Sequence, residues 1–253
     1  MRPPLRITHA SDIHLDTDYY GGEENRAGRD YNRAVFDTLL RRIEAEQPQL
    51  MLLPGDLFDS NRASPDTIAW AMEQLGRLTF PVLMIPGNHD CLEDGAIYHR
   101  HDFGRIANVE MLLATGGELR ALPGLHAAVW GKAMVEHSTE FRPLEGIAPA
   151  DPGRWNLAMG HGIYVGREGF SFRSSPIEAR QIARSGYDYI ALGHHHALLD
   201  VSAQGTAAYY SGAPVPISPD RTGTYLVIAL QEGQPAQVHV RHLDLVSWRL
   251  EGK

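Results

Sequence analysis

Leu50-Met51-Leu52-Leu53-Pro54-Gly55-Asp56-Leu57-Phe58-Asp59 joins a short apolar run to a polar turn opened by glycine. Residues 50–53 read as a buried strand, and the glycine lets the backbone turn tightly and present the aspartate behind it. The arrangement recurs along the chain. Strand-like residues 5–10 run into Asp12-Ile13-His14, and 82–85 into Gly87-Asn88-His89-Asp90. Residues 157–159 run into Gly160-His161, and 187–192 into Gly193-His194-His195-His196. In open α/β sheets the carboxyl ends of the strands form the ligand-binding edge. Strand ends of this kind would therefore bring Asp, Asn and His side chains to one place.

Helix-like segments separate these strands, as a layered α/β fold requires. Residues 31–47 carry Val35, Leu39, Leu40 and Ile43 on one face at helical spacing. Ser64-Pro65 supplies an N-cap and a proline for the first helical position, ahead of Ile68, Met72 and Leu75. Ser175-Pro176 reads as a second such start, and Gly186 as the glycine that closes that helix. Residues 127–130 form a further strand, and 207–210, 225–230 and 237–243 look like antiparallel strands. In the last of these Val238 and Val240 alternate with His239 and Arg241, as on a half-exposed strand. Residues 16–28 and 137–154 read as loops. There is no internal repeat or evident linker, so residues 1–253 are expected to form one domain without a capping domain.

Composition narrows the classes. Hydrophobic residues make up 43% and charged residues 21%, ordinary values for a globular protein. No stretch approaches the roughly 18 apolar residues of a membrane span, and Met1-Arg2-Pro3-Pro4 opens without the apolar region of a secretory signal. Cys91 is the single cysteine, which excludes an internal disulfide and fits a cytoplasmic setting. The net charge of −8 speaks against extensive wrapping by nucleic acid. It speaks less against phosphate chemistry, because bound cations would reverse the charge where a phosphate sits.

Carboxylate, imidazole and amide oxygen suit manganese, iron, zinc or similar ions. A carboxylate can bridge two ions, and a pair about 3.5–4 Å apart clamps an in-line displacement at phosphorus. Each motif alone is weak; together, in this order and each after a strand, they resemble the calcineurin-like metallophosphoesterase superfamily over nearly the whole chain. Within it the chain most resembles the SbcD-type DNA-repair exonuclease group. Carrying that resemblance are Thr8-His9-Ala10-Ser11-Asp12-Ile13-His14-Leu15-Asp16, Pro54-Gly55-Asp56-Leu57-Phe58-Asp59, Gly193-His194-His195-His196 and Tyr209-Tyr210-Ser211-Gly212-Ala213-Pro214.

The resemblance implies a four-layer αββα sandwich, two mixed sheets flanked by helices. It implies two divalent ions, manganese first with iron, zinc or nickel as alternatives. Asp12, His14, Asp56 and His196 would hold the first ion; Asp56, Asn88, His161 and His194 the second, with Asp56 bridging. His89 would protonate the leaving oxygen or orient the phosphate, and Asp59 would hydrogen-bond His89. The implied substrate is DNA, and the group's subunits engage an ATPase partner. They usually continue into a DNA-capping domain, which this sequence does not show before Lys253. A small-substrate phosphodiesterase or phosphatase, acting on a cyclic nucleotide or nucleotide derivative, is the alternative, favoured by the acidity. A binding scaffold that has lost its ligands is disfavoured because every ligand position is filled.

Ser60 and Asp90 stand where protein-phosphatase relatives continue Asp-Arg-Gly and carry Glu. Asp59 replaces the tyrosine of purple acid phosphatases, and His89 the arginine typical of lipid-A precursor hydrolases. His9 reads as a strand residue near the site and His195 as facing away from it. His99, Arg100 and His101 read as a solvated segment and Cys91 as a small packed residue. Tyr19, Tyr20, Arg26 and Arg221 are candidates for recognising a base or sugar.

Overall fold

A computed structural model describes residues 1–17, 23–166, 175–215 and 223–243. In chain order the first part runs β1 (Leu5–His9), α1 (Glu23–Ala45), β2 (Leu50–Pro54), α2 (Pro65–Gly76), β3 (Val82–Ile85), α3 (Ile97–Arg100) and β4 (Val109–Met111). The second runs β5 (Glu118–Leu122), β6 (Ala127–Gly131), β7 (Trp155–His161), β8 (Ile163–Tyr164), β9 (Pro176–Ile177) and α4 (Ala179–Ser185). It continues through β10 (Tyr189–Gly193), β11 (Leu198–Asp200), β12 (Ala207–Ser211), β13 (Gly223–Leu230) and β14 (Gln237–Leu243).

The strands form two six-stranded mixed sheets, ordered β14-β13-β1-β2-β3-β4 and β11-β12-β10-β7-β6-β5. Strands β1 to β4 run parallel, with β13 antiparallel to β1 and β14 antiparallel to β13. In the second sheet β12, β10, β7 and β6 run parallel, and β11 and β5 close the two edges antiparallel. Residues 207–210 thus lie parallel to β10 on one side and antiparallel to β11 on the other. The antiparallel reading holds for 225–230 with 237–243.

Period-two alternation sorts the strand side chains into layers. Leu50 and Leu52 of β2 enter the core between the sheets, with Leu83, Ile85, Leu157, Met159, Tyr189 and Ala191. Met51 and Leu53 point the other way, against Phe36, Leu39, Leu40 and Ile43 of α1 and Ile68, Ala71 and Leu75 of α2. Because β2 is buried on both faces, it reads as a continuous apolar run. On the outer face of the second sheet, Ile190 and Leu192 pack with Ile182 of α4 and Leu144 of the loop after β6. The architecture is the four-layer sandwich, but its fourth layer is one short helix and an irregular loop.

Two element boundaries differ from the sequence reading. Helix α1 begins at Glu23, inside the stretch read as a loop, and carries Gly28 within it. Ser175-Pro176 does not open a helix: Ser175 has φ 52° and Pro176–Ile177 pairs with Ile163–Tyr164. The helix starts at Ala179 instead, with Gln181 Oε1 accepting from the Glu178 N–H at 2.9 Å. Ser64 caps α2 as expected, its Oγ accepting from the Thr67 N–H at 3.3 Å, and Gly186 ends α4 in the left-handed conformation. No helix among the described residues is long and apolar enough to cross a membrane.

Candidate metal centre

The carboxyl ends of β1, β2 and β3 lie side by side in one sheet, and those of β7 and β10 side by side in the other. The sheets face each other across the central core, so all these ends meet at one edge. Asp12, His14, Asp56, Asn88, His89, His161, His194 and His196 converge there.

Two sub-clusters share the middle. In the first, His14 Nε2 and His196 Nε2 are 3.1 Å apart, and His196 Nε2 lies 3.7 Å from Asp12 Oδ1. Asp56 Oδ2 is 3.9 Å from His14 Nε2. In the second, Asn88 Oδ1 is 2.9 Å from His161 Nε2 and 2.7 Å from His194 Nδ1, and Asp56 Oδ2 is 3.2 Å from His161 Nε2. Asp56 is therefore common to both. Ligating atoms of Asp12, His14 and His196 lie within 4.8 Å of one another, as do those of Asp12, Asp56 and His161. A third group, His14, Asp56 and His89, meets the same limit.

The chemistry of this donor set fits cations. His161 Nδ1 is 2.8 Å from the Pro54 carbonyl, which can only accept. Nδ1 therefore carries a proton, and Nε2 is the nitrogen left to face Asp56 and Asn88. His14 Nδ1 is 3.1 Å from Asp59 Oδ1, which likewise turns its Nε2 toward His196. Fixing one imidazole nitrogen by a second partner so that the other can ligate is the usual support of a metal site. Asp12 and Asp56 are each only 1% exposed, and buried carboxylates require compensating positive charge.

Proton affinities show the same demand. Burial alone would depress His161, but the Asp56 carboxylate raises it to about 9. A proton on Nε2 thus stands where a cation would. Burial, and then the His161 charge, lower His194 to about 4. For Asp56, burial opposes ionisation, yet the imidazoles of His161, His14 and His89 hold its carboxyl below the usual range.

Backbone strain concentrates at the same edge. Asp12, His14, Asp56 and His194 all have positive φ, at 58°, 53°, 55° and 96°. Such conformations cost on the order of 1–3 kcal/mol each and persist where the surroundings over-determine them. Glycine has two distinct tasks. Gly55 has φ 92° and makes the turn expected of it. Gly87 instead clears space, since a Cβ there would overlap the Asp56 carboxylate.

The Asp59 carboxylate does not hydrogen-bond His89 as expected. Its carboxylate is 3.1 Å from His14 Nδ1 and 3.8 Å from His89 Nδ1. His89 Nδ1 donates instead to the Asp59 carbonyl at 2.8 Å. The His89 side chain remains 41% exposed, and its backbone N–H donates to Asp56 Oδ1 at 2.8 Å.

Among the remaining residues, His9 is buried between the sheets, with Nδ1 2.8 Å from the Tyr189 hydroxyl. Burial lowers its pKa to about 3, so it stays neutral. His195 packs edge-on against Tyr210. The Arg100 guanidinium is used on the carbonyls of Gly95 and Asn61. Cys91 is buried. Tyr19, Tyr20 and Arg221 lie outside the described residues, as does the Arg26 side chain.

Two residues that sequence reading did not assign belong to this edge. Asp90, fully buried, accepts from the backbone N–H groups of Asp56, Leu57, Phe58 and Gly87 and from the Tyr98 hydroxyl. It ties the turn after β2 to the turn after β3; its place directly after His89 was the available signal. His137 lies tilted beside His194 on a loop that no sequence motif marks.

The profile of the family described as calcineurin-like phosphoesterase matches residues 5–198, and the chain belongs to that family. It is 28% identical over 229 residues to the uncharacterized metallophosphoesterase YhaO of Bacillus subtilis, covering 84% of this chain and 53% of that protein. The chain therefore spans about half the length of this curated relative. Among solved structures it is similar to TT1561 of Thermus thermophilus, with TM-score 0.58, 10% identity and coverage of 95% and 99%. It is also similar to the purple acid phosphatase PPD1 from yellow lupin (Lupinus luteus) seeds, with TM-score 0.59, 13% identity and coverage of 96% and 52%. At these identities the structural likenesses bear on the fold alone.

Proposed function

We propose that the chain hydrolyses phosphodiesters, with DNA of limited length or single-stranded character as its substrate in the manner of an SbcD-type nuclease. The observation that carries the hydrolytic reading is the convergence of two lone-pair donor sets on the shared Asp56 carboxylate. Asp12, His14, Asp56 and His196 would hold one divalent ion, and Asp56, Asn88, His161 and His194 the other. Bound there, the ions would supply Lewis-acid stabilisation of charge at phosphorus and a water activated for attack.

The side chains have separate tasks. Asp59 and the Pro54 carbonyl fix the tautomers of His14 and His161. His89, oriented by the Asp59 carbonyl through Nδ1, has Nε2 left to pass a proton to the leaving oxygen. Its exposure, and that of His196 at 27%, leaves the edge open to a phosphate carried on a polymer.

The motif text supports DNA. The balance of 23 Lys+Arg against 31 Asp+Glu supports a short contact and also the second reading, a small phosphodiester or nucleotide derivative. The manganese-loaded chain should be tested side by side on single-stranded DNA, duplex DNA, cyclic nucleotides and a bis-aryl phosphodiester. Cleavage of single strands with a shallow salt dependence supports the nuclease reading, since each phosphate contact steepens the slope. Inactivity on all DNA beside efficient turnover of a cyclic nucleotide replaces it with the second. Processive degradation of long duplex without an ATPase partner subunit refutes the limited-contact reading.

A further inference from the structure

One imidazole at the cluster has no part in the scheme above. His137 lies in the loop between β6 and β7, its ring centroid 5.2 Å from that of His194 with the planes at 60°. It is within electrostatic reach of Asp56, His89 and His161, and its side chain is exposed at the rim.

The loop holds it in place. Three residues earlier, the Met134 carbonyl accepts from the Leu92 N–H at 2.8 Å, tying the loop to the segment that follows His89 and Asp90. One residue later, the Ser138 carbonyl accepts from the Ser175 N–H at 2.7 Å. The Ser175 carbonyl in turn accepts from the Ile163 N–H at 3.0 Å, just beyond His161. His137 is thus anchored on both sides to backbone that also carries candidate ligands. His89 has the corresponding place on the other sub-cluster, edge-on to His14 with centroids 4.6 Å apart. Each sub-cluster therefore has one exposed imidazole beside one of its ligands.

We propose that His137 contacts the substrate, donating a hydrogen bond to a non-bridging phosphoryl oxygen from the His194 side while His89 acts from the His14 side. The substrate's identity rests on the phosphodiester reading; the phosphoryl oxyanion is common to every phosphate ester. An imidazole carries at least one N–H in either protonation state, and hydrogen bonds to an anionic oxygen are the stronger kind. His137 lies outside both ligand sets assigned above, so its contribution is assigned to substrate, and the metal content of the variant checks that assignment.

The test compares wild type, His137→Ala and His137→Gln, all metal-loaded. Metal content comes from elemental analysis, affinity for inorganic phosphate from calorimetry, and kcat and KM from bis-p-nitrophenyl phosphate. His137→Ala should keep the full metal content and weaken phosphate binding about tenfold, the worth of one hydrogen bond to a charged acceptor. KM should rise more than kcat falls, and the glutamine variant, which retains an N–H donor, should recover part of the loss. Phosphate affinity and KM within about twofold of wild type in His137→Ala overturn the proposal. Loss of an ion in that variant, or no measurable phosphate binding by wild type, also overturns it. If wild type fails to turn over the diester yet binds phosphate, the diester reading falls while the titration still decides the role of His137.

Discussion

Replacing Asp90 with asparagine should loosen the candidate centre without touching any ligand. Asp90 is fully buried. Its Oδ1 accepts from Gly87 N–H at 2.7 Å and Asp56 N–H at 3.3 Å. Oδ2 accepts from Leu57 N–H at 3.0 Å, Phe58 N–H at 3.2 Å and the Tyr98 hydroxyl at 2.6 Å. An amide can keep the Oδ1 bonds, and Tyr98 can reverse its role and accept. The N–H groups of Leu57 and Phe58 cannot reverse, and each would face an amide donor. Two bonds to a charged acceptor at about 1.5–3 kcal/mol each give a gross loss of about 3–6 kcal/mol. Part is offset, because burial and then the nearby Asp56 charge already disfavour the ionised Asp90. A net loss near 3 kcal/mol corresponds to a Tm lower by roughly 6–12 °C in a domain of this size. The turns bearing Asp56 and Asn88 would also lose their common anchor, and metal affinity should fall on the order of 10–100-fold. Thermal melts and metal titrations of Asp90→Asn, with exposed Asp94→Asn as control, measure both effects. A Tm within about 1 °C of wild type, with unchanged metal affinity, would refute the reasoning.

His89→Ala should retain the full metal complement while turnover drops on the order of 10²–10⁴-fold, the range for a positioned acid–base group; an emptied metal site would show that His89 is a ligand. The metal-free protein should be most stable near neutral pH. His161, raised to about 9, contributes stability that is complete below its unfolded value near 6.5 and lost as pH rises through about 9. His9 and His194, lowered to about 3 and about 4, act oppositely, so stability also falls as pH drops below about 6.5. Melts across pH 5–9 with and without added divalent metal check this, and metal should abolish the alkaline fall; a flat alkaline limb in the metal-free protein would show that His161 does not contribute.

The central strands were legible because they are buried on both faces, so residues 50–53, 82–85 and 187–192 stand out as apolar runs. Edge strands mostly were not, although the alternating residues 237–243 at the edge of the first sheet were. Glu118–Leu122 and Leu198–Asp200 lie largely exposed at the sheet edges, where pairing rather than hydrophobic pattern defines the strand. Ser175-Pro176 misled because helix-start chemistry was present in residues whose backbone groups are taken by Ser138, Ile163 and Tyr164 through tertiary pairing. At the site, sequence spacing placed each Asp, Asn and His after its strand, and the strand order then brought them together. Spacing could not reveal which partner each nitrogen takes. Asp59 therefore read as the support of His89, although its carboxylate lies closer to His14. Nor could it reveal His137, which reaches the cluster from an irregular loop.

The shared Asp56 carboxylate between two donor sets is the central claim, and metal stoichiometry tests it most directly. Wild-type protein loaded to saturation with manganese and freed of excess metal should contain two ions per chain by elemental analysis, and chelation should abolish phosphodiester hydrolysis. Asp56→Ala should lose metal and activity together. A single ion at saturation with full activity, or two ions retained in Asp56→Ala, would contradict it.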